Sequence, residues 1–205
     1  MKKGGKILFF FGIILFIIAS FYFDNILIKD ISYLRNSIVD NFFLIITLVS
    51  SEVIIFFVLS ALFLWREHKR KWIFPLWASL GLSVIISFIL KVAVHRPRPF
   101  QLGLVQLLPS LQEASFSSWN FSFPSFQTML VFSAIPILFA QFPKLKKFWI
   151  AFAVLVAFSR LYFGVHFVSD VLSGGVIGYL IGLIVVQIEK KTNIGKKIYE
   201  KIFRK

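Results

Sequence analysis

Cysteine is absent from the 205 residues, which excludes disulfides, zinc thiolates and thiol nucleophiles. Acid is scarce: nine Asp and Glu stand against 23 Lys and Arg, a formal net charge of +14. Histidine occurs only as His68, His95 and His166, so imidazole chemistry has few places to reside. Polar sequence is also thin, with 16% charged residues and no stretch long enough for a separate soluble domain. Soluble chains carry roughly a quarter charged residues. Nucleic-acid binders are basic but polar, and disordered basic tails lack aromatic side chains, which reach 18% here. No nucleic-acid partner is expected.

What is present is hydrophobic sequence, 58% apolar with a mean hydropathy of +0.84. A transmembrane helix needs about 20 mostly apolar residues. The predicted spans, six in number, are 7–23, 42–65, 72–94, 124–142, 148–164 and 168–188. The expected fold is therefore all-α, a polytopic six-helix membrane bundle forming one domain over 1–205, with 189–205 as a basic tail. Lys2, Lys3 and Lys6 before the first span imitate a secretory signal. No good small-x-small cleavage site follows, Ala19 and Ser20 being nearest, and the segment reads as a retained anchor. The linker 24–41 admits an interfacial amphipathic helix through Ile26, Ile31, Leu34 and Ile38, or a simple loop.

Alternate linkers are basic: the N-terminus, 66–71, 143–147 and the tail hold 17 of the 23 Lys and Arg. The positive-inside rule places those linkers and both termini in the cytoplasm. The remaining six cations balance six acids on the outer side and in the spans. The net charge is thus a topology signal. The expected setting is the cell membrane, with the bilayer itself as a partner; oligomeric state stays open.

The outer segment 95–123 opens with His95-Arg96-Pro97-Arg98-Pro99, one turn after Lys91. Outer loops are usually poor in Lys and Arg. Cations gathered there suggest an anionic ligand, and Arg forks suit phosphate. Snorkelling at the interface is the plainer reading for Lys91. Farther on, Ser159-Arg160 precedes His166 and Asp170. Four residues apart on a helix, His166 and Asp170 would share a face, the carboxylate fixing one ring nitrogen and leaving the other free. Ser125 adds a hydroxyl near a helix N-terminus. Glu52 falls mid-span, where a carboxylate is a functional candidate or a protonated partner of Ser50, Ser51, Ser83 or Ser87. Glycines 174, 175, 178 and 182 form a small-residue face for close helix packing. Trp119, in the aromatic segment 115–123, is placed to touch a lipid chain.

These residues, in this order, resemble the type-2 phosphatidic acid phosphatase superfamily, which also contains the vanadium haloperoxidases. Its KxxxxxxRP motif is matched by Lys91 to Pro99, and SRxxxxxHxxxD by Ser159 to Asp170. The PSGH motif is matched only by Pro124-Ser125, with Phe126 and Gln127 replacing Gly and His. The resemblance implies a metal- and cofactor-independent lipid phosphate or diphosphate phosphatase with its site on the outer face. It implies that His166 attacks phosphorus, that Asp170 orients it, and that Lys91, Arg98, Arg160 and Ser125 hold the phosphoryl oxygens. Gln127 occupies the family's acid position but delivers no proton. His95 is a candidate substitute acid. The departure leaves two readings besides an ordinary phosphatase: an enzyme favouring a polyprenyl diphosphate, whose leaving phosphate needs little protonation, and a pseudophosphatase that binds lipid phosphates. A transporter or channel would carry more polar residues within its spans.

Overall fold

The computed structural model describes residues 3–108, 111 and 121–203. Trp119 and most of the aromatic segment lie outside the described residues. The elements are helical throughout: α1 (Lys3–Ser32), α2 (Ser37–Val49), α3 (Glu52–Trp65), a 3-10 turn over Glu67–Trp72, α4 (Ile73–Val94), α5 (Phe126–Gln141), α6 (Lys146–Tyr162), α7 (Val168–Thr192) and α8 (Ile194–Phe203). No strand occurs among the described residues.

Two stretches, Glu67–Val94 and Val168–Thr192, are long and apolar enough to cross a bilayer, and α2 with α3 counts as a third bent by 61°. The hydropathy of 42–65 is continuous, yet the helix breaks at Ser50–Ser51. Ser50 turns its hydroxyl onto the Thr47 carbonyl, a local bond that competes with the helical ladder. The linker 24–41 is mostly helix rather than loop: α1 runs to Ser32, and Asn36 caps α2 by accepting from Val39 N. Arg35 then donates to the Tyr162 carbonyl at 3.0 Å, setting a cation at the C-terminus of α6, where the helix dipole favours it.

The glycine face of α7 finds its partner inside the chain. A Cβ on Gly174, Gly178 or Gly182 would lie 2.7, 2.2 and 2.2 Å from the carbonyl oxygens of Ser125, Met129 and Ser133. The backbones of α5 and α7 therefore touch, and α4 and α6 pack around that pair over a core that includes Leu76, Leu130, Ile137 and Val156. This seam sets the first residues of α5, including Ser125, against the first turn of α7. At the other end, Glu189 accepts from Gly195 N and Lys196 N and folds α8 back toward the 3-10 turn and α4.

Overpacking a close contact costs about 1–3 kcal/mol. Gly178→Ala should therefore lower the thermal midpoint of the purified protein clearly. Gly81→Ala, with nothing within 4 Å of the new methyl, should leave it unchanged or slightly raised.

Candidate functional site

The site is built where α7 begins. Phe167 precedes the helix, and the Asp170 carboxylate reaches back to accept its N–H at 2.8 Å through Oδ2. A carboxylate in a first turn also meets the positive end of the helix dipole. Asp170 is fully buried and would be costly there unpaired. It is not unpaired: Oδ2 accepts from the Ser122 hydroxyl and Oδ1 from Arg96 at 2.7 Å. The backbone of the same turn helps to align α5, since Ser125 N donates to the Asp170 carbonyl at 3.1 Å.

His166 sits just before this turn, 5% exposed. Its Nδ1 is 3.7 Å from Asp170 Oδ2, slightly beyond hydrogen-bond range, and has no hydrogen-bond partner among the described residues. Its Nε2 lies 3.3 Å from an Arg98 guanidinium nitrogen. A guanidinium only donates, so Nε2 must present its lone pair and Nδ1 carries the proton, facing the carboxylate. Burial first, then the Arg98 and Lys91 cations, push the imidazole down to about 3, against the pull of Asp170. The ring is therefore neutral, and its Nε2 electron pair faces the Arg98 guanidinium in a cationic field.

The other matched positions converge on the same region. Arg98 is 3% exposed and donates to the Val165 carbonyl at 2.7 Å. Burial lowers its guanidinium to about 10, with Asp170 opposing, so it stays charged at neutral pH. Lys91, in the last turn of α4, donates to the Phe121 carbonyl. Arg160 donates to Gln127 Oε1 and to Thr47 of the bent pair. Gln127 in turn donates to the Ser50 carbonyl at 3.4 Å, so both ends of its amide are engaged. Ser125 caps α5 without a side-chain cap bond and shares a hydrogen bond with Thr128 at 2.9 Å. Lys91, Arg98 and Arg160 are all less than a tenth exposed, far from the snorkelling that an interface cation would show.

His95 and Glu52 occupy particular places around the site. His95 ends α4 in a left-handed conformation, φ 52°, and is exposed with its ring edge-on to Phe121 at 4.5 Å. It has no hydrogen bond to the groups around His166. Glu52 makes no hydrogen bond with Ser50, Ser51, Ser83 or Ser87; Ser83 donates to the Ser79 carbonyl, and the Ser87 hydroxyl has no hydrogen-bond partner among the described residues. Glu52 instead opens the first turn of α3 beside the break and interacts electrostatically with Arg160. Sequence reasoning missed Asp24, Ser122 and Thr47. The only signal for Asp24 was an acid at the end of the first apolar run.

A sequence model of the PAP2 superfamily matches residues 72–194. The undecaprenyl-diphosphatase of Sulfolobus acidocaldarius is 28% identical over 130 residues, 60% of this chain and 62% of that protein. Phosphatidylglycerophosphatase B of Bacillus subtilis is 34% identical over 122 residues, 54% of this chain and 55% of that protein. The matched part thus spans less than two thirds of either relative. Among solved structures, a transmembrane PAP2-type phosphatidylglycerolphosphate phosphatase from Bacillus subtilis superposes with a TM-score of 0.68 at 24% identity, covering 88% of this chain and 96% of that one.

The neutral His166 ring has a direct signature. Its imidazole nitrogen shifts should remain those of a neutral ring from about pH 8 to about pH 5, whereas a titration near the ordinary ~6.5 would contradict the geometry. The sign for stability follows from the same difference. The unfolded chain takes up a proton near 6.5 and the folded chain only near 3, so stability falls as pH drops through that window.

Proposed function

The chain belongs to the PAP2 superfamily, and from that premise we propose that it is a lipid phosphate/diphosphate phosphatase of the cell membrane. The observation that carries the reading is the His166 ring, with its Nε2 lone pair beside Arg98 and its Nδ1–H toward Asp170. In this reading Nε2 attacks phosphorus, the bond to the leaving oxygen breaks, and a phosphohistidine forms. Asp170 stabilises the positive charge that the ring acquires. Water then attacks the phosphohistidine, releasing inorganic phosphate and regenerating the neutral imidazole. Lys91, Arg98, Arg160 and Ser125 hold the phosphoryl oxygens, where fixed donors stabilise the charge of the transition state. The C-terminal end of α4 and the α6–α7 turn face outward, as the distribution of basic linkers supports, in a bundle of six spans with both termini cytoplasmic.

Gln127 narrows the substrate. General acid catalysis contributes about 10²–10⁴-fold, and the amide engaged by Arg160 and Ser50 has no proton to give. An alkoxide leaving from a monoester needs one; a phosphate leaving from a diphosphate needs it far less. The site therefore favours a polyprenyl diphosphate over phosphatidic acid. A pseudophosphatase is the alternative that the same Gln127 favours.

The test is phosphate release from a panel of lipid mono- and diphosphates, with His166→Ala as control. Diphosphates should be hydrolysed and monoesters should lag by about 10²-fold or more, with His166→Ala inactive on both. Gln127→His should raise monoester turnover by orders of magnitude while leaving diphosphate turnover nearly unchanged. Equal rates on both classes in the parent protein would overturn the substrate preference. No release above the His166→Ala background would favour the pseudophosphatase.

A further inference from the structure

Asp24 lies near the C-terminal end of α1, outside the 72–194 segment that carries the family match. Its side chain is nonetheless 2% exposed, and it does not face lipid or water. Its Oδ1 accepts from Ser169 N at 3.0 Å, inside the first turn of α7, and its Oδ2 accepts from the Ser169 hydroxyl. The same Oδ2 accepts from Arg96 at 2.7 Å, while the other terminal nitrogen of that guanidinium donates to Asp170 Oδ1 at 2.7 Å and to the Ser169 hydroxyl at 2.6 Å. One guanidinium therefore spans two buried carboxylates. The guanidinium also lies over two aromatic rings, its central carbon 4.0 Å from the Phe167 centroid and 5.0 Å from the Phe21 centroid.

This arrangement departs from the phosphate-holding role that a cation in the outer segment would suggest for Arg96. Each terminal nitrogen of its guanidinium already has a carboxylate acceptor, so it is committed to protein partners. Two carboxylates at one helix N-terminus would repel each other without it, and a buried triad of this kind is rarely the most stabilising choice for a core. What it provides is a fixed direction. Asp170 Oδ1 is held by Arg96, which leaves Oδ2 turned toward Ser122, Phe167 N and the His166 ring.

We infer that Asp24 is a positioning residue for catalysis: through Arg96 it divides the guanidinium between two carboxylates and so keeps Asp170 Oδ2 aimed at His166. α1 then completes the site instead of merely anchoring the chain. Without Asp24, Arg96 would be free to turn both nitrogens onto Asp170, drawing the carboxylate away from the imidazole and weakening its hold on the ring's positive charge. The inference rests on the His166 phosphatase reading above.

The experiment uses full-length protein in detergent, with farnesyl diphosphate as substrate and thermal midpoints measured in parallel. Asp24→Asn should lower kcat by about 10- to 100-fold while KM stays within about threefold, since the phosphate-holding cations are untouched. In an Asp170→Asn background the same substitution should cause no further fall in kcat, because the two carboxylates act as one unit. A purely structural staple would lower the thermal midpoint and would multiply the loss in both backgrounds. Arg96→Lys keeps the charge but loses the planar fork, should show the same kcat loss, and serves where Asp24→Asn does not yield folded protein. Parent-like kcat in Asp24→Asn or Arg96→Lys, or an equal effect of Asp24→Asn with and without Asp170, overturns the inference. An active parent with inactive His166→Ala would then leave the phosphatase reading standing, whereas parent activity matched by His166→Ala removes that reading itself.

Discussion

The buried carboxylate in the first turn of α7 is the constraint on which the rest depends. Asp170 is fully buried, and a charge there is tolerable only with both oxygens hydrogen-bonded and a helix N-terminus beneath it. Meeting that condition recruits Ser122 from the segment before α5, Arg96 from the end of α4, Phe167 N from its own helix and, through Arg96, Asp24 from α1. Four separate parts of the chain are thereby tied to one side chain. The glycine face of α7 supplies the complementary condition, bringing the α5 backbone close enough for Ser125 N to reach the Asp170 carbonyl.

Around that carboxylate the chain accumulates cations at a cost. Lys91, Arg98 and Arg160 are each less than a tenth exposed, and Arg98 is electrostatically opposed to both Lys91 and Arg160. The protein partly satisfies them with carbonyls and with Gln127 and Thr47, which neutralise no charge. A bound phosphoryl group would supply the missing negative charge, so stored repulsion becomes binding energy for an anion. Burial and the same field keep the His166 ring neutral. In the proposed reaction, one arrangement would serve both binding and attack.

Much of this was legible in the sequence where spacing is local. The Lys91–Arg98 and Ser159–Asp170 patterns carried His166, Asp170 and the cations Lys91, Arg98 and Arg160, which the fold groups at one end of the bundle. The glycine spacing in 174–182 announced a close helix contact but could not name α5 as its partner. What stayed hidden was long-range or conformational. Asp24 and Thr47 are 146 and 123 residues from Asp170 in the chain, and nothing in either local pattern points across that distance. The break at Ser50–Ser51 is invisible to hydropathy, which runs apolar on both sides. His95 ends α4 in a left-handed conformation with its ring edge-on to Phe121, a geometry that sequence spacing does not specify.

Attack by the neutral His166 ring can be caught by rapid quenching during turnover of a prenyl diphosphate radiolabelled in its terminal phosphate. Acid-labile, alkali-stable label should appear on the single peptide containing His166 and should chase to free phosphate when unlabelled substrate is added. Steady hydrolysis with no label on that peptide at any quench time would contradict it.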